Sequence, residues 1–205
     1  MIAIIDYGVG NLFSLVSSFK AIGVEAVVTD REEVIRAADK LILPGVGAFG
    51  DARRKLAETG MDKLVLQEAE KGKPIMGICL GMQLLFEKGY EYGIHDGLGL
   101  LKGEVVPMEG VIPTEYKIPH IGWNGLVFKQ ENPLFRYIKD GDHVYFVHSY
   151  YAKNCDDSLL ATAEYGPELT AAVAKGNIYG CQFHPEKSGN VGLEILRAFA
   201  CMNGV

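Results

Sequence analysis

A chain of 205 residues, 48% hydrophobic and 22% charged, is long enough to bury a sizeable core and has the composition of an ordinary globular protein. Its 20 basic and 26 acidic side chains give a net charge of −6, which argues against a nucleic-acid or anionic-membrane surface as partner. There is no run of about 18 apolar residues to suggest a membrane span; no Lys or Arg precedes Lys20, and Asp6 interrupts the first apolar run, so no signal peptide is expected.

Met1 to Ile5 is a continuous apolar run, the pattern of a strand buried on both faces. Asp6-Tyr7-Gly8-Val9-Gly10-Asn11 follows as a glycine-rich turn. The third glycine of a dinucleotide fingerprint would fall on Phe13, so the stretch reads as a tight strand-to-helix turn. Leu12, Leu15, Val16 and Phe19 predict a helix over 11–22. Val24 to Val28 reads as a strand, 31–37 as a short helix and Lys40 to Leu43 as a third strand. Pro44-Gly45-Val46-Gly47-Ala48-Phe49-Gly50 lies at that strand's C-terminal end, where open α/β sheets bind ligands; locally, an oxyanion-donor loop and a plain turn are comparable readings. A helix over 50–71, a strand from Pro74 to Ile78 and a helix from Leu80 to Lys88 complete the first half. The alternation predicts an α/β fold with a doubly wound, mostly parallel sheet and helices on both faces. Residues 90–180 read instead as strands and turns, among them 103–107, 125–128, 144–150, 159–164 and 170–175, extending the sheet as antiparallel hairpins. Ile178 to Phe183 returns to the core, and a helix over 189–202 closes the chain.

The chemistry centres on Gly77-Ile78-Cys79-Leu80-Gly81, between a strand and a helix. This is the G-x-S-x-G elbow pattern with Cys in the nucleophile position. Glycines permit the sharp turn and the close approach of strand and helix. The turn lifts the sulfur above the sheet edge at a helix N-terminus, where the dipole favours thiolate, and aims the Leu80 N–H at a developing oxyanion. Cysteine is also among the most often buried residues, and the five-residue pattern alone divides about evenly between nucleophile and inert core. A base tips the balance. His184 stands where the strand Ile178–Phe183 ends, Pro185 stops the ladder, and in extended backbone Glu186 shares the side of His184. Nucleophile, base and orienting carboxylate then form a triad in the order Cys, His, Glu.

Elsewhere, His143 and His148 fall on opposite faces of a predicted strand and are poor metal co-ligands. His95 reads as loop, and His120 lies in a polar-aromatic loop, Lys117 to Asn124, read as ordinary packing. Cys79, Cys155, Cys181 and Cys201 show no C-x-x-C pairing and no zinc-like spacing; four free thiols fit a reducing cytosol, so the expected location is cytoplasmic and no metal is expected.

Gly77-Ile78-Cys79-Leu80-Gly81-Met82-Gln83 together with His184-Pro185-Glu186 resembles the triad-type, class I glutamine amidotransferase domain. The resemblance covers essentially the whole chain, so residues 1–205 read as a single such domain with a flavodoxin-like fold. Asp6 to Asn11, Pro44 to Phe49, Pro119 to Asn124, Tyr145 to Tyr150 and Phe183 to Ser188 are similar to one branch of the family, the glutaminase subunits of imidazole glycerol phosphate synthases. Lys187 directly after Pro-Glu and the Gly122-Trp123-Asn124 segment distinguish the chain from anthranilate-type relatives.

The resemblance implies that Cys79 attacks the carboxamide of glutamine, that His184 protonates the leaving ammonia and that Glu186 orients His184. Leu80 and Gly47 match oxyanion-hole positions; Gln83, and the backbone of Ser149 and Tyr150, match glutamine-binding positions. Glu91 matches a further one, although Gly89-Tyr90-Glu91-Tyr92-Gly93 departs from the commoner Ser-Glu-Glu-Gly wording. The implied partner is a (β/α)8-barrel cyclase/synthase subunit in a heterodimer. It uses the ammonia to make imidazole glycerol phosphate and an aminoimidazole carboxamide ribotide in histidine biosynthesis. Asn11, Trp123, Tyr145 and Lys187 match positions at or near that interface. No cofactor is expected. The alternatives are a glutaminase subunit for anthranilate or aminodeoxychorismate synthesis, a cysteine peptidase or deglycase of similar fold, and a non-catalytic binding module. The two glycines of Pro44-Gly45-Val46-Gly47 also leave its peptide planes free to point either way, which predicts a poor glutaminase until a partner sets the loop.

Overall fold

The computed structural model describes residues 1–202. Its first half alternates as the apolar runs require: β1 (Ile2–Ile5), α1 (Leu12–Ala21), β2 (Ala26–Thr29), α2 (Glu32–Ala37), β3 (Lys40–Leu43), α3 (Phe49–Glu58), α4 (Met61–Glu70), β4 (Ile75–Ile78) and α5 (Leu80–Leu84). The second half is strand-rich: β5 (Lys88–Gly89), β6 (His95–Asp96), β7 (Glu104–Pro107), β8 (His120–Gly125), β9 (Val127–Phe128), β10 (His143–His148), β11 (Tyr150–Lys153), β12 (Leu159–Glu164), β13 (Glu168–Lys175) and β14 (Ile178–Cys181), closed by α6 (Gly189–Cys201). An eight-stranded sheet runs β2-β1-β3-β4-β14-β13-β12-β9. Its members from β2 to β14 are parallel, and β13, β12 and β9 continue it antiparallel. This is the doubly wound, flavodoxin-like arrangement extended by antiparallel strands.

Strand periodicity explains the layers. Ala3, Ile5, Leu41, Leu43 and Ile75 point to one face, where Ile35, Phe49, Leu56, Leu64 and Val65 of α2, α3 and α4 cover them. Ile2, Ile4, Ile42, Met76 and Ile78 point to the other, under Leu15 and Phe19 of α1 and Ile195, Leu196 and Phe199 of α6. Strands buried on both sides need apolar residues at every position, which is why they read as unbroken runs.

Several expected boundaries move. The helix expected over 50–71 breaks at Gly60, whose left-handed backbone (φ +72°) cannot continue a right-handed helix. The helix expected from Leu80 to Lys88 ends at Leu84, and Lys88–Gly89 pairs with β6 and β7. The segment read as a loop around His120 is β8, paired antiparallel with β10 along its whole length. His95, also read as loop, begins the two-residue strand β6. Not all hairpins join the main sheet: β10-β8 and β11-β7-β5-β6 are separate small sheets. Val144 and Phe146 of β10 pack on one core and Val105 and Ala152 of β7 and β11 on the other. The chain therefore crosses between cores at Ser149. Among the described residues no helix is long and apolar enough to cross a membrane.

Candidate active site

Three strand ends converge on Cys79. It follows β4 with φ +54° and ψ −114°, a conformation L-residues rarely adopt, fixed by a 2.7 Å hydrogen bond from its N–H to the Cys181 carbonyl. A Cβ on Gly81 would lie 1.8 Å from the Leu43 carbonyl oxygen, and one on Gly77 would lie 2.6 Å from Met82 Cα, so the elbow closes only with glycine at both positions. The helix behind it, α5, has five residues, so its dipole is smaller than a helix from Leu80 to Lys88 would supply.

His184 follows β14 and donates its backbone N–H to the Tyr145 carbonyl at 2.9 Å. Its Nδ1 lies 2.8 Å from a Glu186 carboxylate oxygen. Pro185–Lys187 form a 3-10 turn rather than the extended segment expected, and that turn brings Glu186 under the imidazole. Ser188 braces the arrangement: its hydroxyl donates to the His184 carbonyl at 2.7 Å and accepts the Tyr145 N–H at 2.9 Å. Burial works against the His184 imidazolium, but the Cys79 sulfur and the Glu186 carboxylate outweigh it and push its pKa up to about 9. Tyr7, which donates to the Pro44 carbonyl at 2.7 Å, is held neutral by burial and then by the charge of Cys79.

A cavity of about 360 Å³ opens over the sulfur. It brings together Cys79, His184, Gly47, Leu80, Gln83, Glu91, Ser149, Tyr150 and Lys187 from the sequence reading. Gly47 has φ +97°, the left-handed backbone that glycine tolerates. Gln83 donates to the Tyr150 carbonyl at 3.1 Å. Glu91 reaches the cavity while one of its oxygens accepts the Phe49 N–H at 2.7 Å, so part of its role is to hold the start of α3. Asn11, Trp123 and Tyr145 do not line the cavity. Asn11 precedes α1; Trp123 on β8 is 55% exposed and meets Tyr145 on β10 edge-on, with ring centroids 6.0 Å apart.

Sequence reasoning missed Pro119, Val147 and His148 in the cavity wall. It also missed the buried contact between His120 and His148, whose Nδ1 and Nε2 are 3.1 Å apart. His148 Nδ1 lies 2.8 Å from the Tyr150 carbonyl, so Nδ1 carries the proton there and Nε2 accepts from His120 Nδ1. Burial pushes both histidines down to about 4. The only sequence signal was strand alternation, which puts the two on opposite faces as expected; His148 is the buried one and His143 the exposed one. Among the described residues no group of three or more His, Cys, Asp or Glu is arranged to hold a metal ion.

Residues 3–202 match the family described as Glutamine amidotransferase class-I. The chain is 52% identical over 203 residues to the imidazole glycerol phosphate synthase subunit HisH of Caldanaerobacter subterraneus, covering 98% of each chain. It is 50% identical over 203 residues to the subunit of the same description from Geobacillus sp. (strain WCH70), covering 98% of this chain and 96% of that one. A crystal structure described as a glutamine amidotransferase superposes with a TM-score of 0.75 at 20% identity over 97% of both chains, a likeness of fold.

Proposed function

Since the chain belongs to the class I glutamine amidotransferase family, we propose that it is the glutaminase subunit of an imidazole glycerol phosphate synthase, formed as one amidotransferase domain over residues 1–205. The observation that carries the chemistry is His184, which lines one cavity with the elbow cysteine while its Nδ1 contacts the buried Glu186 carboxylate behind it. Cys79 attacks the side-chain carboxamide carbon of glutamine as thiolate. The tetrahedral oxyanion takes the Leu80 and Gly47 N–H groups; His184, charged by the proton of Cys79, gives it to the departing ammonia. A γ-glutamyl thioester remains. His184 then removes a proton from water, the hydroxide attacks the thioester carbon, and glutamate leaves with Cys79 restored. Glu186 holds the imidazole with Nδ1 protonated and Nε2 free for both transfers. Gln83, Glu91 and the backbone of Ser149 and Tyr150 hold the substrate.

Ammonia then passes to a (β/α)8-barrel subunit in a heterodimer, which makes imidazole glycerol phosphate and aminoimidazole carboxamide ribotide in histidine biosynthesis. Asn11, Trp123, Tyr145 and Lys187 meet that subunit. In support, Ile121 and Trp123 leave large apolar side chains exposed on β8, the kind of surface protein partners cover. We place the enzyme in the cytoplasm, where free thiols such as Cys79 stay reduced. The two relatives above carry the same description, and nothing favours an anthranilate or aminodeoxychorismate partner.

The test is co-purification with the barrel subunit, followed by synthesis assays of wild type and Cys79→Ala. The variant complex loses glutamine-dependent synthesis and keeps synthesis from ammonium salts. Glutamine-dependent synthesis by the variant, or co-purification of a chorismate-using enzyme instead, would overturn the reading.

A further inference from the structure

The carboxamide of Gln182 is held the same way round by a chain of contacts that starts at a backbone carbonyl. Gln182 follows β14 and is 0% exposed. The Tyr150 carbonyl can only accept, so the Gln83 atom 3.1 Å from it is the amide nitrogen. That nitrogen lies 3.0 Å from the Gln182 side chain, and the atom facing a second donor must be the Gln182 oxygen, Oε1. Gln182 Nε2 is thereby turned toward Cys79, 3.8 Å from Sγ. A buried amide nitrogen needs an acceptor, and here the acceptor is the sulfur.

We propose that Gln182 is a further catalytic residue of this site: its side-chain N–H donates to the Cys79 thiolate, and its carbonyl end locks the Gln83 carboxamide. The Gln182 N–H reaches the sulfur in either form, but an anionic sulfur accepts more strongly than a neutral one. As a thiol, Cys79 donates its S–H to the Val147 carbonyl, 3.9 Å away. As a thiolate it can only accept, and the Gln182 N–H is the neutral donor beside it. A donor to sulfur favours the charged form. An uncharged amide does so without competing for the proton that His184 must carry. Both N–H groups of Gln83 Nε2 are engaged by Tyr150 and Gln182, which leaves its Oε1 as the free polar atom in the cavity, an acceptor for a donor on the substrate.

The proposal rests on Cys79 being the nucleophile, and the experiment separates the two. The full chain is alkylated with iodoacetamide across a pH series, and the Cys79 peptide is followed by mass spectrometry in wild type, Gln182→Met and Gln83→Met. Methionine keeps the volume and removes the donor. In Gln182→Met the alkylation midpoint should rise by about half to one pH unit, so the rate at pH well below the midpoint falls roughly 3- to 10-fold. Gln83→Met, which only releases the orientation of Gln182, should shift it the same way by less. A role confined to packing would move thermal stability and leave the midpoint unchanged. An unchanged midpoint in folded Gln182→Met overturns the proposal. If that variant does not fold, an unchanged midpoint in Gln83→Met does so. Failure of wild-type Cys79 to alkylate at all would instead count against Cys79 as nucleophile.

Discussion

His184 Nδ1 and a carboxylate oxygen of Glu186 lie 2.8 Å apart, with side chains 3% and 1% exposed, and the other Glu186 oxygen has no hydrogen-bond partner among the described residues. The carboxylate is thus committed to the imidazole. Glu186→Gln removes its charge and allows the wrong tautomer. We expect kcat for glutamine hydrolysis in the complex to fall about 10²-fold or more, with a smaller change in KM. The His184 pKa should fall from about 9, because burial then acts with less opposition; NMR titration of the imidazole reads this directly. Near-normal kcat in the variant would remove Glu186 from the mechanism.

Acid should destabilise the protein through His120 and His148. Both stay neutral in the folded chain down to about pH 4, whereas in the unfolded chain they protonate near the ordinary value of 6.5. The unfolded state therefore binds more protons between those values, and stability falls as pH drops from 6.5 to 4, by about a few kcal/mol for the coupled pair taken together. His184 has the opposite sign: its contribution is full below 6.5 and is lost as pH rises through about 9. Denaturant midpoints measured across pH should show both limbs, and His148→Gln should flatten the acid one. An unchanged acid limb in that variant contradicts the assignment.

Gly81→Ala tests the elbow. Its Cβ would lie 1.8 Å from a backbone oxygen of Leu43, an atom that moves only if β3 moves. We expect loss of stability of about 1–3 kcal/mol or more and loss of glutaminase activity. A fully active Gly81→Ala protein would show that α5 and β3 approach less closely than described.

How much of this was legible in the sequence depended on the range of the contacts. Ile2–Ile5 and Ile75–Ile78 are buried on both faces, so their composition alone marks them as central strands. Gly77 and Gly81 flag the elbow because tight packing there tolerates no side chain. β8 was hidden: Gly122, Trp123 and Asn124 show no regular apolar alternation, and its pairing with β10 is a long-range event. Glu186 reached His184 as expected, though through a 3-10 turn. Gln182 and Ser188 act through partners on other elements, and no local pattern in the chain announces such contacts.

The Pro44–Gly47 segment leads to a regulatory expectation. Gly47, beside Cys79 in the cavity, sits at φ +97° and has no Cβ to restrict its two flanking peptide planes. If the resting loop withholds the Gly47 N–H, the transition state loses one oxyanion donor, about 2.7–4 kcal/mol or 10²–10³ in rate. The chain alone should therefore hydrolyse glutamine poorly, and the barrel subunit and nucleotide substrate proposed above should raise mainly kcat. Full activity of the isolated chain, or activation seen only in KM, would refute this.

The central claim, that Cys79 is the nucleophile toward glutamine, is tested most directly by a glutamine-like diazo-ketone incubated with the complex, with the modified peptide identified by mass spectrometry. Cys181 is fully buried and its thiol is pushed up by burial and then by the charge of Glu186, and Cys155 is buried likewise; Cys201 is exposed but lies on α6, outside the cavity. The account predicts a single adduct on Cys79 that appears together with loss of glutamine hydrolysis and is prevented by excess glutamine. First labelling at Cys155, Cys181 or Cys201, or inactivation with Cys79 unmodified, would contradict it.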